Sequence, residues 1–439
     1  MIRYIRSGFT FLLTLLACGA MAQTTATSSS PYSQFGLGTL NEGLLPQTRA
    51  MGGIATAINR ISGYNTVNVV NPASYSYINL TSIDIGLYGN VSTLKQNNIS
   101  SQTNGNFRLS HFNFAAPVSK RSAVSFGLVP YTELGYNYRQ SLSNFGTGNA
   151  ADTNAVNYIY SGDGGLSKAY AGYGFGFGRV LSVGANVSYI FGNLRKFRST
   201  EVPSLVGAIN SRSERSNSVS GVNFDYGAQL NFDLSDTRHL VFGYSGSAGN
   251  NLNSRITNVV SQYLTSDVGD ETSAIDTISN QVVANGKIKL PLMHRVGISY
   301  QKDGKFLIGA EYSRANWSAL TIGGVNQGLQ NSQSMSIGGQ ITPNNNAINN
   351  YLALIDYRLG FRYDKTNIRI NNTDIKQYAL SFGLGLPLQR NNTAFYKINI
   401  AGEYGQRGTL QNNLIKENFF TIHLGFTLND AWFQKYRFD

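Results

Sequence analysis

Phe420-Thr421-Ile422-His423-Leu424-Gly425-Phe426-Thr427-Leu428 alternates without a break. Phe420, Ile422, Leu424, Phe426 and Leu428 fall on one face, and Thr421, His423, Gly425 and Thr427 on the other. A period of two with one wholly apolar face marks a strand whose sides meet different surroundings. Working back through the chain, the pattern recurs at Ser82–Val91, where Ile83, Ile85, Leu87 and Val91 oppose Asp84, Tyr88 and Asn90. It continues in Arg121–Arg139, Lys168–Gly178, Leu181–Asn193, Val219–Leu234, His239–Ala248, His294–Gln301 and Lys305–Ser313. Counting such segments gives about fourteen strands, the weakest between Asn367 and Lys376.

Composition says which surroundings these are. Only 13% of the 439 residues are charged and 12% are aromatic, almost all of the aromatics being Tyr (26) and Phe (24), with 47 glycines. A soluble chain of this length is about one quarter charged. No apolar run after the first residues reaches the roughly 18 needed for a spanning helix. The expectation is therefore an all-β fold: a transmembrane antiparallel β-barrel with its apolar face toward lipid and its polar face toward the lumen.

The start of the chain supplies an address. Arg3 and Arg6 precede an apolar run from Phe9 to Ala17, and Ala20-Met21-Ala22 follows, the layout of a secretory signal over 1–22. A lipoprotein reading at Leu15-Leu16-Ala17-Cys18 is the weaker alternative, because leucine just before the small residue is unusual. Cys18 is the sole cysteine, so the mature chain offers neither a disulfide framework nor a thiolate metal site. The net charge of +12 is dispersed, with no dense run beyond Arg195-Lys196-Phe197-Arg198. Rim charge facing outer-membrane lipid accounts for it, and no nucleic-acid partner is expected.

Between leader and strands lies a segment of another kind. In Arg49–Ala73, Met51-Gly52-Gly53 opens a small-residue stretch able to pack closely, and Asn71-Pro72-Ala73 breaks any ladder. A compact element ahead of a run of membrane strands reads as a plug, so that 23–78 forms the lead-in and hatch and 79–439 the barrel. Short polar turns at Ser119-Lys120-Arg121, Ser235-Asp236-Thr237, Lys302-Asp303-Gly304 and Gln389-Arg390-Asn391-Asn392 contrast with long Asn/Ser-rich stretches around 195–218, 250–285 and 315–350, read as loops of the outer rim. An even strand count places both termini in the periplasm.

Met51–Gly53 followed by Asn71–Ala73 resembles the hatch of FadL-like outer-membrane transport proteins. The PYSQFGLG lead-in, GDGGLSKAYAGYGFGFG, EYGQRG at Glu403–Gly408 and the NDAWFQKYRFD tail resemble a Bacteroidota branch of that family. The resemblance covers nearly the whole mature chain, and the order of its motifs carries more than any one of them. It implies a fourteen-stranded barrel taking up small hydrophobic molecules such as long-chain fatty acids, with a lateral exit at a kinked third strand. Val129-Pro130-Tyr131 supplies such a kink, since a proline deletes a ladder bond, and Pro130 is the candidate gate. No carboxylate site is marked, although Arg108, Arg139 and Arg358 are candidates to point inward. The fold family also includes protein-binding members, such as the attachment subunit of the type IX secretion system. A non-transporting barrel within a secretion or assembly complex, in contact with other outer-membrane proteins, is therefore the alternative.

Other motifs carry no chemistry. His111, His239, His294 and His423 lack metal-ligand spacing, and no serine has a nucleophile context, so neither enzyme activity, cofactor nor metal is expected. The glycines from Gly172 to Gly178 alternate with Tyr and Phe and read as strand packing. Gly162-Asp163-Gly164-Gly165 reads as a bulge or kink. Beyond the last strand, Trp432, Phe433, Tyr436 and Phe438 are candidate membrane-interface anchors, and the tail is a candidate signal for barrel insertion.

Overall fold

The computed structural model describes residues 30–431 apart from 62–63, 98, 145–153, 204, 206, 266–271 and 389–393. The leader, the turn at Gln389–Asn392 and the aromatics Trp432, Phe433, Tyr436 and Phe438 lie outside the described residues.

Fourteen antiparallel strands close on themselves. They are β1 (Thr81–Gln96), β2 (Ile99–Ser119), β3 (Ser122–Ser143), β4 (Ala155–Phe177), β5 (Leu181–Glu201) and β6 (Asn210–Ser235). The seventh and eighth are each broken once: β7 is Arg238–Ser247 continued by Asn251–Tyr263, and β8 is Asp276–Lys289 continued by Met293–Lys302. Then come β9 (Phe306–Ala315), β10 (Ser332–Ile341), β11 (Asp356–Ile370), β12 (Thr373–Pro387), β13 (Ala394–Gly408) and β14 (Lys416–Asp430). Closure is made by β14 on β1, in register from Lys416↔Lys95 to Asp430↔Thr81. Each strand is hydrogen-bonded to both neighbours through the lower barrel, the β2–β3 ladder alone stopping early at Phe112↔Leu128, and such closure is what lets β-structure cross a bilayer.

The alternation sorts as expected. Ile85, Phe126, Tyr189, Phe224, Ile298, Leu359, Phe382 and Ile422 are exposed on the outer wall, while Asp84, Asn113, Asn186, Asn223, Ser299 and Thr427 are buried on the inner one. Among the described residues no helix is long and apolar enough to cross a membrane; the exposed apolar band of the strands is the surface suited to lipid.

The long polar stretches differ from expectation. Residues 195–218 are mostly strand, ends of β5 and β6 joined by a short connection, and 250–285 is largely the upper parts of β7 and β8. The 315–350 stretch contains β10, so its two connections lie on opposite rims; the one following β10 is a long linker on the rim of short turns. A tilted span needs about 9–11 residues, yet β6 has 26 and β4 has 23, against 10 in β9. The excess of β3–β8 stands beyond the apolar band as a half-wall, its inner face partly buried, as at Leu252, Ile256 and Ile288, and its outer face free of the apolar requirement that lipid imposes. No bulge forms at Gly162–Gly165: the ladders to β5 and β3 run through it without a shift, and Gly164 takes a positive φ of 113°.

Candidate functional site: the strand-lined lumen

The described residues of 30–78 pack against the inner faces of the strands. At mid-barrel the inner wall is built of glycines that are direct cross-strand neighbours: Gly174↔Gly184↔Gly227 on β4–β6, Gly243↔Gly297 on β7–β8, and Gly309↔Gly338↔Gly360 on β9–β11. Each missing side chain is occupied by the N-terminal segment. A Cβ on Gly184 would overlap the Pro72 carbonyl, on Gly243 the Thr56 carbonyl, on Gly338 the Met51 carbonyl and on Gly360 the Gly52 amide. Glycine is required here because two backbones meet without side chains between them.

Local chemistry shapes the segment to fit. The short helix Pro46–Arg49 ends in Gly52 and Gly53, both at positive φ (72° and 87°), which reverses the chain. Met51 is fully buried against Ile54, Ile58, Ile61 and Leu307. Backbone donors of the turn find partners on the wall. Gly52 N–H donates to Ser381 Oγ (2.8 Å), and Ala55 and Thr56 N–H both donate to Glu311 Oε2 (2.7 and 2.8 Å). Asn71 caps the 3-10 helix Pro72–Tyr77 by accepting from Ala73 N–H. Its amide nitrogen donates to the Thr56 carbonyl (2.6 Å) and to those of Ala228 and Tyr244 (3.3 Å each). Asn71→Leu leaves these carbonyls without that donor in a dry site, at about 1–3 kcal/mol for an unsatisfied group. Amide exchange from Thr56 to Ala73 should speed at least tenfold in this variant while the strands stay protected; unchanged exchange would contradict the anchoring role.

Charge fixes the lead-in. Glu42 receives Arg362 through both oxygens (2.9 and 3.2 Å) and Arg295 at 3.3 Å. Arg362 also meets Asp364 at 2.8 Å, and Arg295 lies 3.7 Å from Glu311. Burial alone would raise the Glu42 carboxyl, but Arg362 and Arg295 outweigh it and hold it well below the usual carboxylate range. Lower in the lumen, Asp356 accepts from Arg358 (2.8 Å), Lys397 (2.6 Å) and Thr342 (2.7 Å). A hydrogen-bonded line runs on from Arg358 through Asn399, Thr427 and Asp84 to His111. Of the arginines that were candidates for the lumen, Arg108 pairs with Glu133 at 3.6 Å, Arg358 is spent on Asp356, and Arg139 is exposed.

Pro130 marks a change of partner. The β2–β3 ladder holds only from Ser119↔Ser122 to Phe112↔Leu128, ending two residues before it. Above that point β2 keeps β1 and β3 keeps β4, and the freed edge of β3 is taken by the lead-in. Thr39 and Leu40 pair with Glu133 and Thr132, Asn41 N–H donates to the Tyr131 carbonyl (2.8 Å), and Ser30 N–H to that of Gly135 (3.0 Å). Between Leu40, Val69, Val129, Pro130 and Met293 a cavity of about 70 Å³ remains.

The upper lumen is a packed core. Leu134, Ile190, Leu252, Ile288 and Leu320 are fully buried together with Leu37 from the lead-in and Trp317 and Leu329 from the β9–β10 connection. The larger space beside it, about 270 Å³, is bordered by Glu42, Arg49, Glu133, Arg362 and Glu403. The sequence reading missed Glu42, Arg295, Arg362, Glu311 and the glycine wall. Inward positions carrying charge were the available signal, but spacing does not say which cation meets which carboxylate.

The geometry defines a class: an outer-membrane-type barrel of fourteen strands with its N-terminal segment folded inside. A search of family models narrows it, for the BamG model matches residues 1–439 and the chain belongs to that family. No curated protein matches it. Among solved structures it is similar to the toluene transporter TbuX of Ralstonia pickettii (15% identity, 89% of this chain and 99% of that one, TM-score 0.57). It is likewise similar to the toluene transporter TodX of P. putida (15%, 90% and 100%, 0.58) and to a Pseudomonas aeruginosa FadL homologue (14%, 91% and 99%, 0.53). At these identities the likeness is one of fold.

Proposed function

We propose that this chain is a non-transporting barrel, a structural subunit of an outer-membrane assembly or secretion complex, with residues 30–78 as a resident plug and both termini in the periplasm. One observation carries the reading: the apolar side chains of the upper lumen are consumed in a packed core around Leu37, Leu134, Leu252 and Leu320, and the 270 Å³ space left beside it mixes Phe35, Met293 and Phe419 with Glu42, Arg49, Glu133, Arg362 and Glu403 instead of forming an apolar pocket. A hydrophobic passenger needs an apolar pocket of several hundred Å³. The 70 Å³ space beside Pro130 falls far short. No catalysis is proposed. Ser110, His111 and Asp84 do touch in series (3.1 and 2.6 Å), yet both oxygens of Asp84 are engaged and none of the described cavities reaches Ser110.

A second reading, uptake of a small hydrophobic molecule with lateral exit, is supported by the ladder break at Phe112/Leu128 and by a fold shared with toluene transporters. In that reading Pro130 is the gate. Gentle detergent extraction followed by native mass spectrometry separates the two. A stoichiometric complex with other envelope proteins and no small adduct is expected. A bare barrel carrying a lipophilic adduct would overturn the subunit reading in favour of uptake.

A further inference from the structure

Below the plug, at the rim of short turns, lies a second cavity of about 320 Å³. Four cations border it from three separate elements: Lys120 and Arg121 on the β2–β3 turn, Arg179 on the β4–β5 turn, and Arg60 on the plug. Arg60 is the one exposed residue between Met51 and Ile61, and its guanidinium lies over the Tyr77 ring at 5.2 Å. No ion pair is made by these four among the described residues. Asp233 is the sole carboxylate on the described lining, and it is already taken by His239 (2.6 Å) and by the Asn231 amide (2.9 Å). Elsewhere in the lumen cations meet carboxylates directly, as Arg295 and Arg362 meet Glu42 and as Arg358 and Lys397 meet Asp356. Here four positive charges converge on a concave space whose described lining offers one carboxylate, Asp233, ion-paired with none of them.

We propose that this cavity is a docking site for a carboxylate-rich segment of a periplasmic protein. The inference rests on the periplasmic orientation proposed above and supplies the subunit reading with a contact surface. Charge complementarity selects the partner, since like-charged walls in a cleft focus the field on an incoming anion. The spread of the cations over two turns and the plug suits an extended chain bearing several carboxylates better than a single small anion. A lipid headgroup is the poorer occupant. Arg60 belongs to the plug, inside the ring of strands, so a lipid would have to leave its leaflet to reach it.

The test uses the full chain in detergent micelles and a fluorescent twelve-residue Asp/Glu-rich peptide, followed by anisotropy. The wild type should bind it, with affinity falling as salt rises, and should not bind the Asn/Gln counterpart. Arg60→Gln with Arg179→Gln should weaken binding at least tenfold and flatten the salt dependence. Arg60→Glu with Arg179→Glu should lose the acidic peptide and gain a Lys-rich one, which a merely misfolded barrel would not do. Unchanged affinity in the Gln pair would overturn the proposal, as would displacement of the peptide by inorganic phosphate at equal concentration. Retention of the chain on anionic vesicles but not by the peptide would assign the cavity to lipid instead. Co-purified partners without peptide binding would sink this site alone, whereas peptide binding by a chain extracted bare would sink the subunit reading.

Discussion

Gly360→Val combined with Gly243→Val should unseat the plug and turn a closed barrel into a conducting one. At Gly360 the added carbon would meet the Gly52 amide and at Gly243 the Thr56 carbonyl. Both obstacles are backbone, which cannot swing aside as a side chain does. The wall is the stiffer partner: Gly360 is fixed in register by Gly338 and Ser381, and Gly243 by Gln229 and Gly297. The plug must therefore give way. Overpacking costs about 1–3 kcal/mol per site, and sites on β7 and β11 with no shared partner should roughly add. In planar bilayers the wild type should show little steady current and the double variant a persistent one. Gly105→Ala, which meets nothing closer than 3.7 Å, is the control expected to stay closed. A folded double variant that remains non-conducting would mean that the segment is seated by other contacts.

The strand pattern was open to reading because lipid on one side and a polar lumen on the other force a period of two on every spanning stretch, as in Phe420–Leu428. It failed where that asymmetry ends. Asn210–Ser218 lies in β6 beyond the apolar band, and with no lipid on its outer face its Ser, Arg, Glu and Asn are polar on both sides, so the stretch reads as loop. The glycines raised a different difficulty. Gly174 was visible as part of an alternating run, but what fills the space above it is Pro72, about a hundred residues earlier and on no common element. A local reading can say that a strand lacks side chains on one face; it cannot say what has taken their place. Pro130 was legible as a kink from its chemistry alone. That the freed edge of β3 is met by Thr39 and Leu40 was not, since nothing in a two-residue strand announces its partner.

Glu42→Gln is the second substitution expected to act strongly, and it separates the ionic from the steric hold on the plug. The wild-type carboxylate faces two guanidiniums with its side chain only 15% exposed. Removing one member of a buried ion group costs about 3–5 kcal/mol, because the charges left behind stay desolvated. The lower end applies here, since Arg362 retains Asp364 and Arg295 retains Glu311. Trypsin should then cut after Arg49 and Arg60 at least tenfold faster than in the wild type, with the barrel intact. The pH dependence follows from the direction of the carboxyl shift. Its folded value lies below the unfolded one near 4.3, so the contact stabilises fully at pH values above the latter. That contribution fades progressively as pH falls from the unfolded value toward the depressed folded one. Wild-type resistance to an acid-active protease should accordingly persist from neutrality to about pH 4.3 and drop below it, while Glu42→Gln should lack this acid step. An identical acid profile in the two proteins would assign the latch to the other lumen carboxylates. Because Glu42 and Arg362 meet directly at 2.9 and 3.2 Å, the double variant Glu42→Gln, Arg362→Gln should be less destabilised than the sum of the two single variants, and strict additivity would likewise count against this latch.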